Sequence, residues 1–323
     1  MMERTKTKKR FNLFLIWSLL LLSPFMASAQ YSVERLTDAG QFNDFVVGPG
    51  KKEITLNPGQ SAIADILVTN RMGEKRTFFL ETEDFRGSEN VEQTIVLLGD
   101  ERGPYSLKDY LSVPFYEFSL EHGERATIPV TISIPPDAEP GGKYGSLVIS
   151  TVSNEAEKTE NTASTALISR IGTLFFVTVP GEIEKSGSLE DFKTNTGRKF
   201  FGGGPIDFEI LFRNTGSVYL NPYGEIRISN FLGKEIDAIK LDAWFALPDS
   251  LRLREITWDR DWLLGVYTAH AFINRGYEDI VDEKSFTFFV IPWKLALILL
   301  LSIFILILIL RFIFKRFEFK RKV

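Results

Sequence analysis

The residue types that carry out hydrolysis or hold metals are few in this sequence, and their spacing is unsuitable. There are two histidines, His122 and His270, and no cysteine. His122 lies in the polar turn Glu121-His122-Gly123-Glu124, whereas His270 lies in an alternating apolar run. Neither histidine has a second ligand at zinc spacing, and neither lies beside a candidate nucleophile. We therefore expect both to be structural or solvated, and we predict a protein without enzymatic activity or cofactor.

Two acidic groups are the remaining candidates for binding a cation. Glu81-Thr82-Glu83-Asp84 and Asp259-Arg260-Asp261 bring carboxylates together, and carboxylate oxygens are ligands that Ca²⁺ takes. Neither group follows the spacing of a calcium-binding loop, and polar strand edges or turns explain both equally well. No metal site is predicted.

Tryptophans flank the second acidic group. Trp258, Asp259, Asp261 and Trp262 are therefore the best candidates for a ligand-facing surface, in which the indole rings would stack on a sugar. Trp244 is a further candidate. The alternative is packing inside a sheet or core, because tryptophan is mostly buried in β-sandwiches.

The C-terminal region predicts a membrane anchor. Residues 295–310 read LALILLLSIFILILIL, without a charge. Residues 291–313 are long enough to cross a hydrocarbon core of about 30 Å as a helix, and Trp293 is placed for the interfacial belt of aromatic residues. The alternative is a buried core helix. Residues 314–323 are basic, which predicts a cytoplasmic tail.

The N-terminal region predicts a signal peptide over residues 1–29. A basic stretch precedes the apolar run Phe11–Leu22, and Ala27-Ser28-Ala29 provides small residues for cleavage between Ala29 and Gln30. An uncleaved anchor is the alternative. The two ends together predict a single-pass protein of the plasma membrane, with its C-terminus inside and the bulk of the chain extracytoplasmic.

Composition limits the partners of the exported part. The chain has 38 Lys and Arg against 42 Asp and Glu, and since both ends are basic, the part between them is strongly acidic. An acidic surface argues against binding nucleic acid. Without cysteine, the exported part can have no disulfide, so packing alone must hold it together.

Residues 31–290 have the pattern of an all-β protein. Short runs of alternating apolar residues, such as Ile128, Val130 and Ile132, are separated by turns that contain Gly, Pro and Asn. We predict two tandem immunoglobulin-like β-sandwiches, over residues 30–181 and 182–290. Residues 86–112 are interpreted as an insertion, and Glu155–Ser164 as an exposed hairpin loop. The two units look alike, because a hydrophobic strand ends at Asn70 in one and at Asn214 in the other.

One short turn is predicted to be structurally important. Pro140-Gly141-Gly142 joins two strands of the first unit, and so short a connection usually needs one residue with positive φ, which glycine adopts without strain. Tyr144 follows two residues later. We predict that its ring packs against the first sandwich and that its hydroxyl reaches the backbone near the turn, as in a tyrosine corner.

Several of these motifs resemble the WxL-protein-interacting surface proteins of Gram-positive bacteria. The similarity lies in residues 54–60 (ITLNPGQ), in Val68-Thr69-Asn70 and in the segment from Ile134-Pro135-Pro136 to Gly145, and it covers residues 45–180 best. The resemblance implies two immunoglobulin-like domains before one membrane helix and a basic tail. It also implies a first domain that binds peptidoglycan and a second that binds a host or partner protein, but it transfers no ligand residue.

Two functions are compatible with this sequence. The first is a non-catalytic, membrane-anchored cell-surface protein that binds cell-wall glycan or a surface protein through its two sandwiches. The alternative is a chaperone-like or accessory subunit of a membrane or surface assembly complex. Such a subunit would bind client strands at an exposed sheet edge.

Overall fold

The computed structural model describes residues 31–37, 40–152 and 168–316 as two β-sandwiches followed by one helix. The predicted all-β fold with one C-terminal apolar helix is confirmed. Three predictions concern residues outside the described ones. They are the signal peptide over residues 1–29 with its cleavage site at Ala29 and Gln30, the loop Glu155–Ser164 and most of the basic tail.

The first unit is built from two sheets packed face to face. One sheet has the order β1-β9-β4-β2, with β7 beside β9, and the other has the order β3-β11-β10-β5-β6, with β8 beside β5. In chain order the strands are β1 (Ser32–Arg35), β2 (Phe45–Gly48), β3 (Lys51–Thr55), β4 (Ser61–Asn70), β5 (Arg76–Gly87), β6 (Ile95–Leu97), β7 (Leu111–Ser112), β8 (Glu117–Leu120), β9 (Glu124–Ser133), β10 (Gly141–Val152) and β11 (Ile168–Val179).

Alternation along the strands creates the core of this unit. In β9, Ile128, Val130 and Ile132 are fully buried, while the residues between them face outward. They meet Phe78 of β5 and Phe175 of β11 from the other sheet. The predicted insertion, residues 86–112, contributes β6, a short 3₁₀ turn and β7.

The second unit repeats the arrangement. A sheet of order β12-β14-β17 faces one of order β13-β19-β18-β15-β16, and Phe208, Phe212 and Phe288 lie fully buried between them. The strands are β12 (Gly187–Thr194), β13 (Phe200–Phe201), β14 (Ile206–Asn214), β15 (Tyr223–Asn230), β16 (Glu235–Leu241), β17 (Ser250–Trp258), β18 (Gly265–Asn274) and β19 (Val281–Val290).

The C-terminal helix α1 (Trp293–Arg316) follows β19 almost directly. Its stretch Leu297–Lys315 is long and apolar enough to cross a membrane. The helix begins two residues after the predicted start. Ile291 is still tied to the neighbouring strand β13, because its N–H donates to the carbonyl of Phe201 over 2.8 Å, and Pro292 has no N–H to donate. The helix extends three residues beyond the predicted end at 313.

A buried asparagine has the same role in both units. The Asn70 amide donates to the carbonyls of Glu74 and Leu120, and that of Asn214 donates to the carbonyls of Val218 and Ala246, all within 2.9 Å. In each case the side-chain oxygen also accepts the N–H two residues later. These bonds close the turn that follows β4 in the first unit and β14 in the second. The similarity that the sequence showed at Asn70 and Asn214 therefore has a structural basis.

We predict that Asn214→Ala lowers the free energy of unfolding by about 2 kcal/mol or more, because it removes three hydrogen bonds at a fully buried site. Asn195→Ala is the matched control, since Asn195 is exposed in the same unit and should change stability little. Denaturant unfolding of the detergent-solubilised chain measures both. Equal stabilities of the two variants would contradict the structural role.

Candidate functional site

The four predicted ligand-facing residues do not form one surface. Trp258 is 2% exposed, and its indole N–H donates to the Asp237 carboxylate over 2.8 Å, so the ligand-facing prediction for this residue is wrong. It is the last residue of β17, where alternation directs the ring into the core. Asp259, Asp261 and Trp262 lie in the loop that follows and are exposed.

The other chemical candidates are explained by local structure. The His122 ring accepts the N–H of Gly73 at Nδ1 over 3.1 Å, and the His270 ring stacks on Phe272. Trp244 is packed in the second core. Among the described residues, no group of three or more histidine or acidic side chains is placed to hold a metal ion.

Asp84, from the first acidic group, organises the insertion instead. Its fully buried carboxylate accepts backbone N–H groups of Gly103, Leu107 and Lys108 at 2.8–3.1 Å. Hydrogen bonds of this kind satisfy a buried charge. Glu83 is paired with Arg170 on the same sheet, so the two acids have separate structural partners.

The two glycines of the predicted turn serve different purposes. Gly141 has φ of +133°, and Gly265, which opens the corresponding strand of the second unit, has φ of +121°. Gly142 is needed for space, because a Cβ there would lie 2.0 Å from the Tyr144 hydroxyl oxygen. The Tyr144 ring lies directly against the glycine backbone.

The Tyr144 hydroxyl does not make the predicted tyrosine corner. It accepts the backbone N–H of Tyr219, in the second unit, over 2.7 Å. The corner is instead found at Tyr267, whose hydroxyl lies 3.1 Å from the Leu264 carbonyl. Tyr267 is two residues after the glycine with positive φ, whereas Tyr144 is three residues after its own. A shift of one residue turns a side chain to the opposite face of the sheet.

Tyr144 therefore belongs to a cluster that joins the two units. Phe85, Tyr144 and Phe176 project from the outer face of the β10–β11 sheet and pack against Leu247, with Tyr219 and Phe245 at the rim. This cluster was not predicted from the sequence. The outward register of these aromatic residues on their strands was a signal that could have indicated the cluster. No property of a single residue indicated it.

Hydrogen bonds surround the inter-unit cluster. The Tyr105 hydroxyl donates to the Asp249 carboxylate over 2.9 Å, the N–H of Gly142 donates to Ser217 and the N–H of Leu251 donates to the carbonyl of Ser88. These contacts come from the loops of the second unit that precede β15 and β17 and from the start of β17. The first unit is thereby docked on one end of the second sandwich.

A sheet edge is left open in the first unit because the chain changes sheets between β2 and β3. β2 covers only Leu67–Asn70 of β4, and β3 covers only Leu174–Thr178 of β11. No described strand pairs with residues 168–173 on the side of β11 away from β10. We call residues 168–173 the open half-edge. Ile168 and Ile171, which lie on it, are 59% and 37% exposed.

A shallow cavity of about 200 Å³ adjoins the open half-edge on the outer face of the sheet. The backbone and side chains around it are mostly apolar, and they are supplied by Gly50, Ile95, Leu97, Ser146, Val148, Arg170, Gly172 and Leu174. The cavity and the half-edge together could take one side chain and the backbone of an added strand.

The comparisons with known proteins return distant structural likenesses. A chain from the chaperone–tip adhesin complex of CFA/I fimbriae biogenesis is 15% identical with a TM-score of 0.37, and the alignment covers 77% of this chain and 99% of that one. A chain from the CsuC–CsuE chaperone–tip adhesion subunit complex of Acinetobacter baumannii is 10% identical with a TM-score of 0.36, covering 74% and 97%. The E. coli chaperone DraB is 13% identical with a TM-score of 0.30, covering 76% and 97%. No protein-family model and no curated protein matches the chain.

We predict that Gly142→Ala lowers the free energy of unfolding by about 1 to 3 kcal/mol, because the Tyr144 ring must move away from the new methyl group. Gly141→Val should cost a similar amount through backbone strain. Gly203→Ala is the control, since its Cβ would come no nearer than 3.8 Å to the atoms around it. Denaturant unfolding compares the three variants, and equal stabilities would show that the turn tolerates a side chain.

A second prediction concerns alkaline pH. Burial is the largest cause that raises the pKa of Tyr105 and of Tyr219 to about 12, above the ordinary value of about 10. A hydrogen bond to Asp249 adds to it at Tyr105, and the negative charge of Glu53 adds to it at Tyr219. The folded state favours the neutral phenols, so their contribution is complete below pH of about 10 and is lost as pH rises towards 12. The free energy of unfolding should fall across this range, and Tyr105→Phe should make the fall smaller. An unchanged free energy between these pH values would contradict the prediction.

Proposed function

We propose that this protein is a non-enzymatic, membrane-anchored extracytoplasmic subunit that binds an extended segment of a partner protein by strand addition. The observation that carries the proposal is the open half-edge of β11. An unpaired edge presents backbone donors and acceptors, and other proteins recruit such edges for binding a peptide strand. Binding of this kind corresponds to the chaperone-like or accessory role, the second of the two functions that the sequence leaves open.

The backbone direction on the open half-edge suits strand addition. The N–H of Leu174 donates to the carbonyl of Gly50, towards the side on which β3 lies. Backbone groups in a strand point to the same side at every second residue. The N–H and C=O groups of Ile168, Arg170 and Gly172 therefore point away from β10, where an incoming strand would meet them.

The surroundings of the open half-edge define the chemistry of the partner segment. Ile168 and Ile171 offer apolar contact on opposite faces of the strand, and the adjoining cavity is lined mainly by apolar groups. Arg170 is already paired with Glu81 and Glu83. The expected partner segment is thus extended, with apolar residues at alternate positions. Its specificity would come from apolar side chains rather than from charged ones.

The location of the partner follows from the anchor and its flanking charges. Helix α1 is apolar enough to cross a bilayer, and the basic tail predicts that its C-terminal end is cytoplasmic. The two sandwiches would then face outward at the plasma membrane. Binding of cell-wall glycan stays a prediction from the resemblance to WxL-protein-interacting proteins, and retention of the purified protein on cell-wall sacculi is its test.

We expect Ile168→Lys and Ile171→Lys to abolish co-purification of a stoichiometric partner from native membranes in mild detergent, because a charge on an edge strand opposes pairing. Ile63→Lys is the matched control. Ile63 is 69% exposed on β4, where no described strand covers the side away from β9, and its variant should retain the partner. Loss of the partner in all three variants, or in none, would refute binding at the open half-edge.

A further inference from the structure

The most exposed large apolar side chains of the described residues lie in two loops of the second unit. Trp262 is 79% exposed, Leu232 75%, Phe231 73% and Leu264 71%. Turns in water normally carry polar residues, and a contiguous apolar surface usually marks an interaction site. We call Phe231, Leu232, Trp262 and Leu264 the apolar tips.

Strand register places both loops at the end of the sandwich from which helix α1 leaves. In the β15–β18 pair, Asn230 lies opposite Tyr267, and in the β18–β19 pair, Gly265 lies opposite Val290. The turn after Asn230, the loop before Gly265 and the end of β19 therefore share one end of the sheet. Ile291 and Pro292 alone separate β19 from the helix.

Other exposed apolar residues surround the helix start at this same end. Phe200, in β13, is 69% exposed and stacks on Phe289. Trp293, the first residue of the helix, is 59% exposed. A Cβ on Gly202 would lie 3.4 Å from the Trp293 ring, which shows that the loop after β13 touches the helix start.

The apolar tips are held outward by specific contacts. The Asn230 side chain accepts the N–H groups of Leu232 and Lys234 at 3.0 and 3.1 Å, which fixes the turn that carries Phe231 and Leu232. In the other loop, Leu263 is buried in the core, so its two neighbours in the chain face away from it.

The Tyr267 hydroxyl adds a further restraint on the second loop. It bonds both the N–H and the carbonyl of Leu264, at 3.2 and 3.1 Å. The fold therefore keeps Trp262 and Leu264 exposed, because Leu263 between them is buried in the core and the backbone of Leu264 is hydrogen-bonded to Tyr267.

We propose that the apolar tips insert into the outer interface of the lipid bilayer and hold the second sandwich against the membrane. The proposal rests on the membrane anchorage stated above. Tryptophan favours the interfacial layer, and leucine and phenylalanine gain free energy by leaving water for the boundary of the acyl chains. The continuity of this end with the helix start favours lipid over a protein as the occupant.

The charges near the apolar tips sum to a small positive excess. Arg198, Lys199, Lys234, Arg260 and Lys294 are exposed at this end, and so are Glu235, Asp259 and Asp261. Electrostatic attraction to anionic lipid would then be modest, and apolar contact would supply most of the binding. Insertion should accordingly persist at high ionic strength, where charge interactions are screened.

Spin labels on the full chain in proteoliposomes test the proposal. Because the chain has no cysteine, Leu232→Cys and Trp262→Cys each give one labelling site. Collision with lipid-soluble oxygen and with a water-soluble nickel complex then reports the depth of each label. The vesicles contain phosphatidylcholine, with or without phosphatidylglycerol, and no other protein.

Three reference positions calibrate the result. Ile303→Cys lies in the helix, Val281→Cys lies at the opposite end of the second unit and Ile63→Cys lies on the first unit. We expect labels at 232 and 262 to collide several-fold more with oxygen, relative to the nickel complex, than those at 281 and 63. This higher ratio of oxygen collisions to nickel-complex collisions at 232 and 262 should persist without anionic lipid and in about 1 M salt.

The outcomes separate this proposal from the anchorage itself. If the label at 303 reports lipid while those at 232 and 262 report water, the anchor stands and the inserted tips are refuted, which leaves a protein as the occupant. If the label at 303 also reports water, the anchorage fails and the proposal fails with it. A lipid signal at 232 and 262 that vanishes without phosphatidylglycerol would refute apolar insertion as its cause.

Discussion

The hydrogen bond from the Tyr219 N–H to the Tyr144 hydroxyl joins two sandwiches that otherwise have separate cores. It depends on the register of β10, because Tyr144 lies on the outer face of its sheet, whereas Tyr267 lies on the inner face of the corresponding one. Gly142 leaves room for the hydroxyl end of the Tyr144 ring, which occupies the space that a Cβ would take. The aromatic cluster then buries the outer face of the β10–β11 sheet that would otherwise be exposed to water, so docking of the second unit completes the first.

The docking has a consequence for the open half-edge. Phe176, which lies in the same strand, is fully buried in the inter-unit cluster, and β3 covers the neighbouring edge from Leu174 onward. The C-terminal part of β11 is thus fixed from two sides, while its N-terminal part is paired only with β10 among the described strands. Such a strand is held rigidly at one end and leaves one edge unpaired along the rest of its length. It is preorganised for a partner, because little conformational entropy is lost on binding.

The sequence predicted features that depend on local patterns. Alternation in β9 predicted a strand with one buried face, and the uncharged run from Leu295 predicted the helix. The recurrence of asparagine at Asn70 and Asn214 indicated two similar units, and the buried amides show the physical reason. These features follow from the side-chain period of a strand or from a turn of a few residues, so neighbouring residues contain the information.

Features that depend on long-range pairing could not be predicted in this way. The partner of Tyr144 lies 75 residues further along the chain, and the burial of Trp258 depends on Asp237 and on the opposite sheet. The open half-edge exists because the pairing of β3 with β11 begins only at Leu174, and no single residue of the sequence indicates this starting point. Trp262 is exposed, whereas the sequence left open whether it faces outward or packs inside, and its place beside the helix start required the register of β15, β18 and β19.

The positions of these features relative to one another support a single arrangement. The loops before β15 and β17 dock on the first unit, and they lie at the end of the second sandwich opposite to the helix, since Asn214 pairs with Ser250 there. In the proposed arrangement, the second sandwich would be a spacer between the bilayer and the first unit. Its length is that of a strand of nine or ten residues, which at about 3.3 Å per residue is about 30 Å. With one end against lipid and the other against Tyr144, the spacer would hold the open half-edge well beyond the lipid headgroups, where a partner segment outside the membrane can reach it.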